Sequence, residues 1–323
     1  MKPRVYITRR IPEEALKIIA GRCDYRMWDS EDERVPRDVL ESEVGQVDGL
    51  YTLLTERVDP DLLNRAPGLK VVANMAVGYD NVDVEECSRR GVVVTNTPGV
   101  LTETTADLAF ALMMAAARRV PEAERFLRGG KWKTWSPMLL TGVDVFGATL
   151  GLIGLGRIGQ AVAKRAKGFS MPVLYSGRSR RPDLEDALGV EWRGLDDLLR
   201  ESDFVSIHVP LTETTRGMIG SREIALMKPT AVLVNTSRGP VVREPDLYEA
   251  LREKRIFAAG LDVFETEPLP SDSPFLGLPN VVLLPHIGSA SVATRTKMAV
   301  MAARNLVQVL SGQRPDNPVN HIM

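Results

Sequence analysis

The sequence predicts an α/β protein built on doubly wound parallel sheets, and three observations predict it. A short apolar strand at 149–153 runs into a glycine-spaced loop and then a helix from Arg157. Strand-like and helix-like segments alternate on both sides of it, and those before it read as a second α/β domain without a glycine-spaced loop. At 323 residues the chain has room for two domains with separate cores.

The stretch TLGLIGLGRIGQAVAKRA, 149–166, carries the most information. Its strand is apolar and bounded by Gly147 and Gly154, which suits a parallel strand covered on both faces. Gly154, Gly156 and Gly159 then fall in the G-x-G-x-x-G spacing. Gly154 serves a tight turn, Gly156 lets backbone approach a pyrophosphate, and Gly159 allows helix to pack closely on strand. The N–H groups and positive dipole end of the 157–167 helix then face the phosphates. Dinucleotide binding is the expectation; the plainer alternative is an ordinary strand-to-helix turn.

The next strand, 172–175, bears on the choice of dinucleotide. An acid at its end would bond the ribose 2′-hydroxyl of NAD, but the chain reads Ser176, Gly177, Arg178, Ser179, Arg180, Arg181 before the first carboxylate, Asp183. Guanidiniums bind phosphate bidentately and hydroxyls donate to it, so NADPH is expected ahead of NADH, against the alternative of a solvated basic turn.

Composition excludes several classes. Lys and Arg total 41 against 42 Asp and Glu, with no dense basic cluster beyond Arg178–Arg181, so no nucleic acid or anionic membrane is expected. Cys23 and Cys87 are far apart and form no C-x-x-C, which argues against a disulfide framework or structural zinc and fits a reducing cytoplasm. The N-terminus has no continuous apolar core of a signal peptide, and the apolar stretch 108–117 is too short to span a bilayer.

In chain order, strands are expected at 5–8, 25–28, 49–53, 71–74 and 92–95, with helices near 37–44, 60–64 and 84–89 and another opening at Pro12 with Glu13 and Glu14. Residues 95–99 mark a break, which places domain boundaries at 1–98 with 290–323, and 99–289. A helix over 102–119, apolar nearly all round, is expected to be buried at a domain or subunit boundary. The segment 129–147 reads as irregular and carries Trp132 and Trp135, which as paired loop aromatics suit a core or interface plug more readily than a pocket lining. Strands then return at 204–209, 231–235, 257–261 and 281–284, and the amphipathic helix 292–310 is expected to cross back to the first domain.

A carbonyl reductase needs a proton donor near neutral pH, and histidine suits it. Only His208, His286 and His321 exist, and His321 lies third from the C-terminus. His208 and His286 each follow an apolar strand, but His286 has Glu267 nearby in chain, after another strand end. A carboxylate beside an imidazole orients the ring and favours its protonated form. Arg238, after the strand at 231–235, is positioned to grip a carboxylate or polarise a carbonyl.

GLGRIG at 154–159, NTSRG at 235–239, GLDVFETEP at 260–268 and LLPHIGSA at 283–290 resemble, in order and spacing, the D-isomer-specific 2-hydroxyacid dehydrogenase family. VANMAVGYDNVD at 72–83, TNTPGVLTETTADLAFAL at 95–112 and the LYSGRSRR turn look most like the glyoxylate/hydroxypyruvate reductases within it. The resemblance covers almost the whole chain. It implies two Rossmann-like domains, the cofactor domain inserted into the substrate domain, and NADPH-preferring hydride transfer to C2 of glyoxylate or hydroxypyruvate. Arg238 would bind the substrate carboxylate and carbonyl, His286 would be the general acid, and Glu267 its partner. The N–H groups of Val77 and Gly78 would hold the carboxylate, Asp262 would contact the nicotinamide carboxamide, Thr105 would lie beside the cofactor, and Arg157 and Ile158 would cover the pyrophosphate. Leu53, Arg57, Trp135 and Ser289 are candidates to shape the pocket. A homodimer is implied, with Trp135 reaching the neighbour's site.

The rivals are another D-2-hydroxyacid dehydrogenase, of phosphoglycerate or lactate type, and a non-catalytic NAD(P)-sensing corepressor-like protein on the same fold. Phosphite dehydrogenases share the scaffold, but place a lysine where this chain has Ala76. The Arg, Glu and His set favours an enzyme.

Overall fold

Short apolar runs become strands and the segments between them become helices in the computed structural model, which describes residues 2–321. Two α/β units result, one taking the chain up to Leu101 and again from Ala290, the other Thr102–Ser289.

In the first unit the order is β1 (Arg4–Ile7), α1 (Glu13–Arg22), β2 (Asp24–Met27), α2 (Arg37–Val44), β3 (Gly49–Thr52), α3 (Pro60–Asn64), β4 (Val71–Asn74), α4 (Val84–Arg89) and β5 (Val93–Thr95). The strands form one parallel sheet, β2-β1-β3-β4-β5. Helix starts follow capping chemistry: the Asp59 carboxylate accepts from the Leu62 N–H at 2.9 Å, and that of Asp83 from the Glu86 N–H at 2.8 Å.

The second unit holds α5 (Thr102–Ala117), α6 (Val120–Arg128), β6 (Leu150–Ile153), α7 (Arg157–Ala166), β7 (Val173–Ser176), α8 (Pro182–Leu188), β8 (Val190–Trp192), α9 (Leu195–Glu201), β9 (Phe204–Ile207), α10 (Ser221–Leu226), β10 (Val232–Asn235), α11 (Glu244–Arg252), β11 (Ala258–Leu261) and β12 (Val281–Leu283). Its seven parallel strands run β12-β11-β10-β9-β6-β7-β8. The order reverses between β6 and β9, the switch point at whose carboxyl side an open α/β sheet binds ligands. The chain then returns to the first unit as α12 (Val292–Leu310), which packs on α1, β3 and β4, and the Tyr51 hydroxyl donates to the Ala299 carbonyl at 3.2 Å.

One expectation changes and two are narrowed. The helix expected over 102–119 stops at Ala117, because Arg119 is left-handed at φ 53° and α6 restarts with Pro121 in its first turn. Helix α5 buries Ala106, Ala109, Leu112 and Met113 in its own unit, against α7, β10 and β11, while Asp107 and Ala111 stay exposed. Trp132 and Trp135 plug no core of this chain; they are 57% and 76% exposed. Among the described residues no helix is long and apolar enough to cross a membrane.

Candidate active site

Each glycine of the loop after β6 meets the surroundings its spacing calls for. Gly154 sits at φ 101°, and a Cβ there would lie 2.8 Å from the His208 carbonyl. A Cβ on Gly159 would lie 2.2 Å from the Gly154 carbonyl, so α7 can rest on the loop only without one. A Cβ on Gly156 would meet nothing within 4 Å. Gly156 is the N-cap of α7, whose N-terminus has no side-chain cap, so the loop has both room and unsatisfied donors for a pyrophosphate. Arg157 is exposed at the helix start, and Ile158 beside it is half-buried.

At the end of β7, Ser176 is buried while Arg178, Ser179 and Arg180 are exposed. The two arginines differ. Arg180 is held by Glu185 at 2.7 Å, and Glu185 also accepts from the Tyr175 hydroxyl at 2.7 Å. Arg178 has no ion-pair partner among the described residues.

The remaining groups stand at the carboxyl ends of adjacent strands β10, β11 and β12. Asn235, buried at the end of β10, folds the next turn: its amide donates to the Arg238 carbonyl at 2.9 Å, and its oxygen accepts from the Ser237 N–H at 3.0 Å. Gly239 follows because a Cβ there would lie 1.8 Å from the carbonyl carbon of Phe264. The Arg238 turn and the Phe264–Glu267 turn are thus pressed backbone to backbone.

Asp262, just past β11, is buried and binds the turn after β12. Its carboxylate accepts from the N–H groups of Ile287 at 2.7 Å and Gly288 at 2.8 Å, and its carbonyl from the His286 N–H at 2.9 Å. Burial raises the Asp262 carboxyl above its usual range. This clamp helps hold His286 at φ 55°, a left-handed conformation. The His286 Nδ1 then lies 2.7 Å from Glu267 Oε2, and the Phe264 N–H donates to Glu267 Oε1 at 3.0 Å. Burial pushes the Glu267 carboxyl up, but the hydrogen bond and charge of His286, the Phe264 N–H and Arg238 together bring it below its ordinary value. Thr105 is buried near Gly288, and Ser289 is half-buried.

The structure separates the two histidines. The His208 Nε2 lies 2.9 Å from the Ser206 hydroxyl, and burial pushes this imidazole down to about 4, so it is neutral near pH 7. Among the described residues no carboxylate faces it as Glu267 faces His286. In the first unit, Leu53 follows β3 and Val77 and Gly78 follow β4, at the same edge of two paired strands. Asn81 ties the β3 loop down, its amide donating to the Leu53 and Glu56 carbonyls at 3.1 and 2.9 Å. The sequence reading passed over Asn235 and Asn81, although asparagine beside a turn is a known signal. Trp135 projects from the exposed segment and touches none of these groups in any hydrogen bond or ring contact described.

Residues 110–288 match the D-isomer specific 2-hydroxyacid dehydrogenase, NAD binding domain. The chain belongs to the D-isomer specific 2-hydroxyacid dehydrogenase family. A glyoxylate reductase of Korarchaeum cryptofilum is 56% identical over 99% of this chain and 96% of its own. Among solved structures, a protein of Thermus thermophilus has a TM-score of 0.91 and 46% identity over 98% of this chain and 100% of its own. The NADPH-dependent glyoxylate/hydroxypyruvate reductase of Sinorhizobium meliloti, in complex with NADP and malonate, has a TM-score of 0.85 and 34% identity over 99% of this chain and 97% of its own. As a D-2-hydroxyacid dehydrogenase the chain is an oxidoreductase that uses a nicotinamide cofactor.

Proposed function

We propose that the chain reduces glyoxylate, and hydroxypyruvate as a second substrate, with NADPH preferred to NADH. The observation that carries this reading is the Glu267–His286 pair at the carboxyl edge of a sheet whose phosphate cradle is open at Gly156. The cradle of Gly154, Gly156 and Gly159 with the start of α7 would hold the pyrophosphate, Ser176, Arg178 and Ser179 the 2′-phosphate, and Thr105 and Asp262 would flank the nicotinamide end. Bound there, the reduced nicotinamide supplies the hydride.

The protein's own groups do the rest. His286, its Nδ1 engaged by Glu267, presents Nε2 as the acid that protonates the developing alkoxide. Arg238 pairs with the carboxylate and polarises the carbonyl. In the first unit the Val77 and Gly78 N–H groups donate to the carboxylate, and Leu53 limits the size of the acid. Asp262 acts first as the clamp on the His286 turn. We further propose a cytoplasmic homodimer: Cys23 and Cys87 are free and buried, and Trp135 stands exposed in a segment suited to a second copy.

Initial rates of NADPH and NADH oxidation with glyoxylate, hydroxypyruvate, pyruvate and 3-phosphohydroxypyruvate test the reading. Turnover of the first two, faster with NADPH, is expected. Measurable NADPH binding without turnover of any of the four would overturn it.

A further inference from the structure

Beyond β4 the chain turns through residues 75–80, and the Val77 and Gly78 N–H groups lie in consecutive peptide planes. In a trans peptide the N–H and C=O of one plane point in opposite directions, so whatever grips the carbonyl aims the N–H. The plane that carries the Val77 N–H ends in the Ala76 carbonyl, which accepts from the Thr97 N–H at 2.9 Å. The plane that carries the Gly78 N–H ends in the Val77 carbonyl, which accepts from the Asn96 side-chain amide at 2.8 Å. The next carbonyl, that of Gly78, accepts from the Asn74 amide at 3.0 Å. Three successive carbonyls are thus each held by a donor, while the Val77 and Gly78 N–H groups meet no partner among the described residues. Asn96 is itself anchored: its N–H donates to the Asn317 carbonyl at 3.3 Å and its carbonyl accepts from the Asn305 amide at 3.3 Å.

We propose that Asn96 is a positioning residue for the substrate carboxylate, aiming the Gly78 N–H by holding the Val77 carbonyl. This rests on the reading that Val77 and Gly78 bind that carboxylate. On this proposal Asn96 acts through the Val77 peptide rather than by contact with the substrate. Its side chain is the one element of this aim that mutation removes cleanly, since the Thr97 donor is backbone.

The experiment compares wild type with Asn96→Ala and Asn96→Asp. The aspartate keeps the volume but sets an acceptor against the Val77 carbonyl, so that peptide must turn away. Glyoxylate KM and kcat are measured at saturating NADPH, oxalate affinity for the NADPH-loaded protein by calorimetry, and NADPH affinity and thermal midpoint as references. In both variants glyoxylate KM rises and oxalate affinity falls in parallel, by on the order of ten- to a hundred-fold, as for a weakened hydrogen bond to a charged group. Turnover at saturation stays within about three-fold, and NADPH affinity is unchanged. Unchanged KM and oxalate affinity would overturn the proposal, as would loss of NADPH affinity or of folding in both variants, which would make Asn96 a general brace. If wild type binds oxalate but does not reduce glyoxylate, the substrate reading fails by itself and oxalate affinity still decides the role of Asn96. If wild type neither binds oxalate nor turns over, the carboxylate reading falls and takes this proposal with it.

Discussion

The Nδ1 atom of His286, in the turn after β12, lies 2.7 Å from Oε2 of Glu267, in the turn after β11. The contact leaves Nε2 as the ring atom open to a substrate. His286→Ala is therefore expected to lower kcat for glyoxylate by on the order of 10² to 10⁴. His208→Ala, at a residue whose ring is taken up by Ser206, is expected to cost less than about ten-fold. Steady-state rates of the two variants side by side check this, and equal losses would remove the reason for choosing His286.

His208 carries a separate prediction about stability. Its folded pKa of about 4 lies below the 6.5 of the free side chain, so as pH falls the unfolded chain takes up the proton first. The stabilisation is complete above pH 6.5 and is lost as pH falls from there toward 4. Urea titrations of wild type and His208→Asn across that window should show wild type losing stability faster, by up to about 1.4 kcal/mol per pH unit. Parallel pH dependences would mean that the imidazole titrates normally.

Arg178 and Arg180 were alike in sequence, but the structure gives Glu185 to Arg180 and leaves Arg178 without an ion-pair partner among the described residues. Arg178→Ala should therefore weaken NADPH binding by on the order of ten-fold or more, as for a lost charged hydrogen bond, with NADH nearly unaffected. Arg180→Ala should do less, because that side chain must leave Glu185 to reach a phosphate. Fluorescence titrations with both cofactors measure it, and the reverse ranking would assign the 2′-phosphate to Arg180.

Much of the fold was legible because parallel strands buried on both faces read as apolar runs. Thus 71–74 and 231–235 agree with β4 and β10 to within a residue. Strand β8 was not legible: it is three residues, Val190–Trp192, of which Glu191 and Trp192 are exposed at the sheet edge. Helix α6 escaped for the same reason, since it buries no residue. At the site, Arg238, Glu267 and His286 could be named from chemistry and order, whereas the Asp262 clamp depends on a turn 25 residues away that no local pattern announces. The different standing of Arg178 and Arg180 depends likewise on where α8 sets Glu185.

Gly239 and Gly156 make a contrasting pair. A methyl on Gly239 would collide with the Phe264 backbone, so Gly239→Ala should destabilise the protein by about 1–3 kcal/mol or more and disturb both site turns. A methyl on Gly156 meets open space at φ −73°, which alanine tolerates. Gly156→Ala should keep or slightly raise the thermal midpoint yet bind NADPH more weakly, since the methyl stands where the phosphates approach. Normal cofactor affinity in Gly156→Ala would take away the reading of that open side as the pyrophosphate cradle.

Between residues 120 and 146, Leu127, Trp132, Met138 and Phe146 are each more than half exposed, a cluster in sequence of large apolar side chains that suits an interface. The homodimer proposed above would cover these side chains, and on that proposal light scattering at micromolar concentration should give twice the chain mass. Leu127→Glu with Trp132→Glu should shift the protein to monomer, because burying an unpaired carboxylate in an apolar interface is strongly unfavourable. If Trp135 also completes the neighbour's pocket, that monomer should bind NADPH normally but show a raised KM for glyoxylate. A wild-type monomer at micromolar concentration with full activity would exclude both roles for the segment.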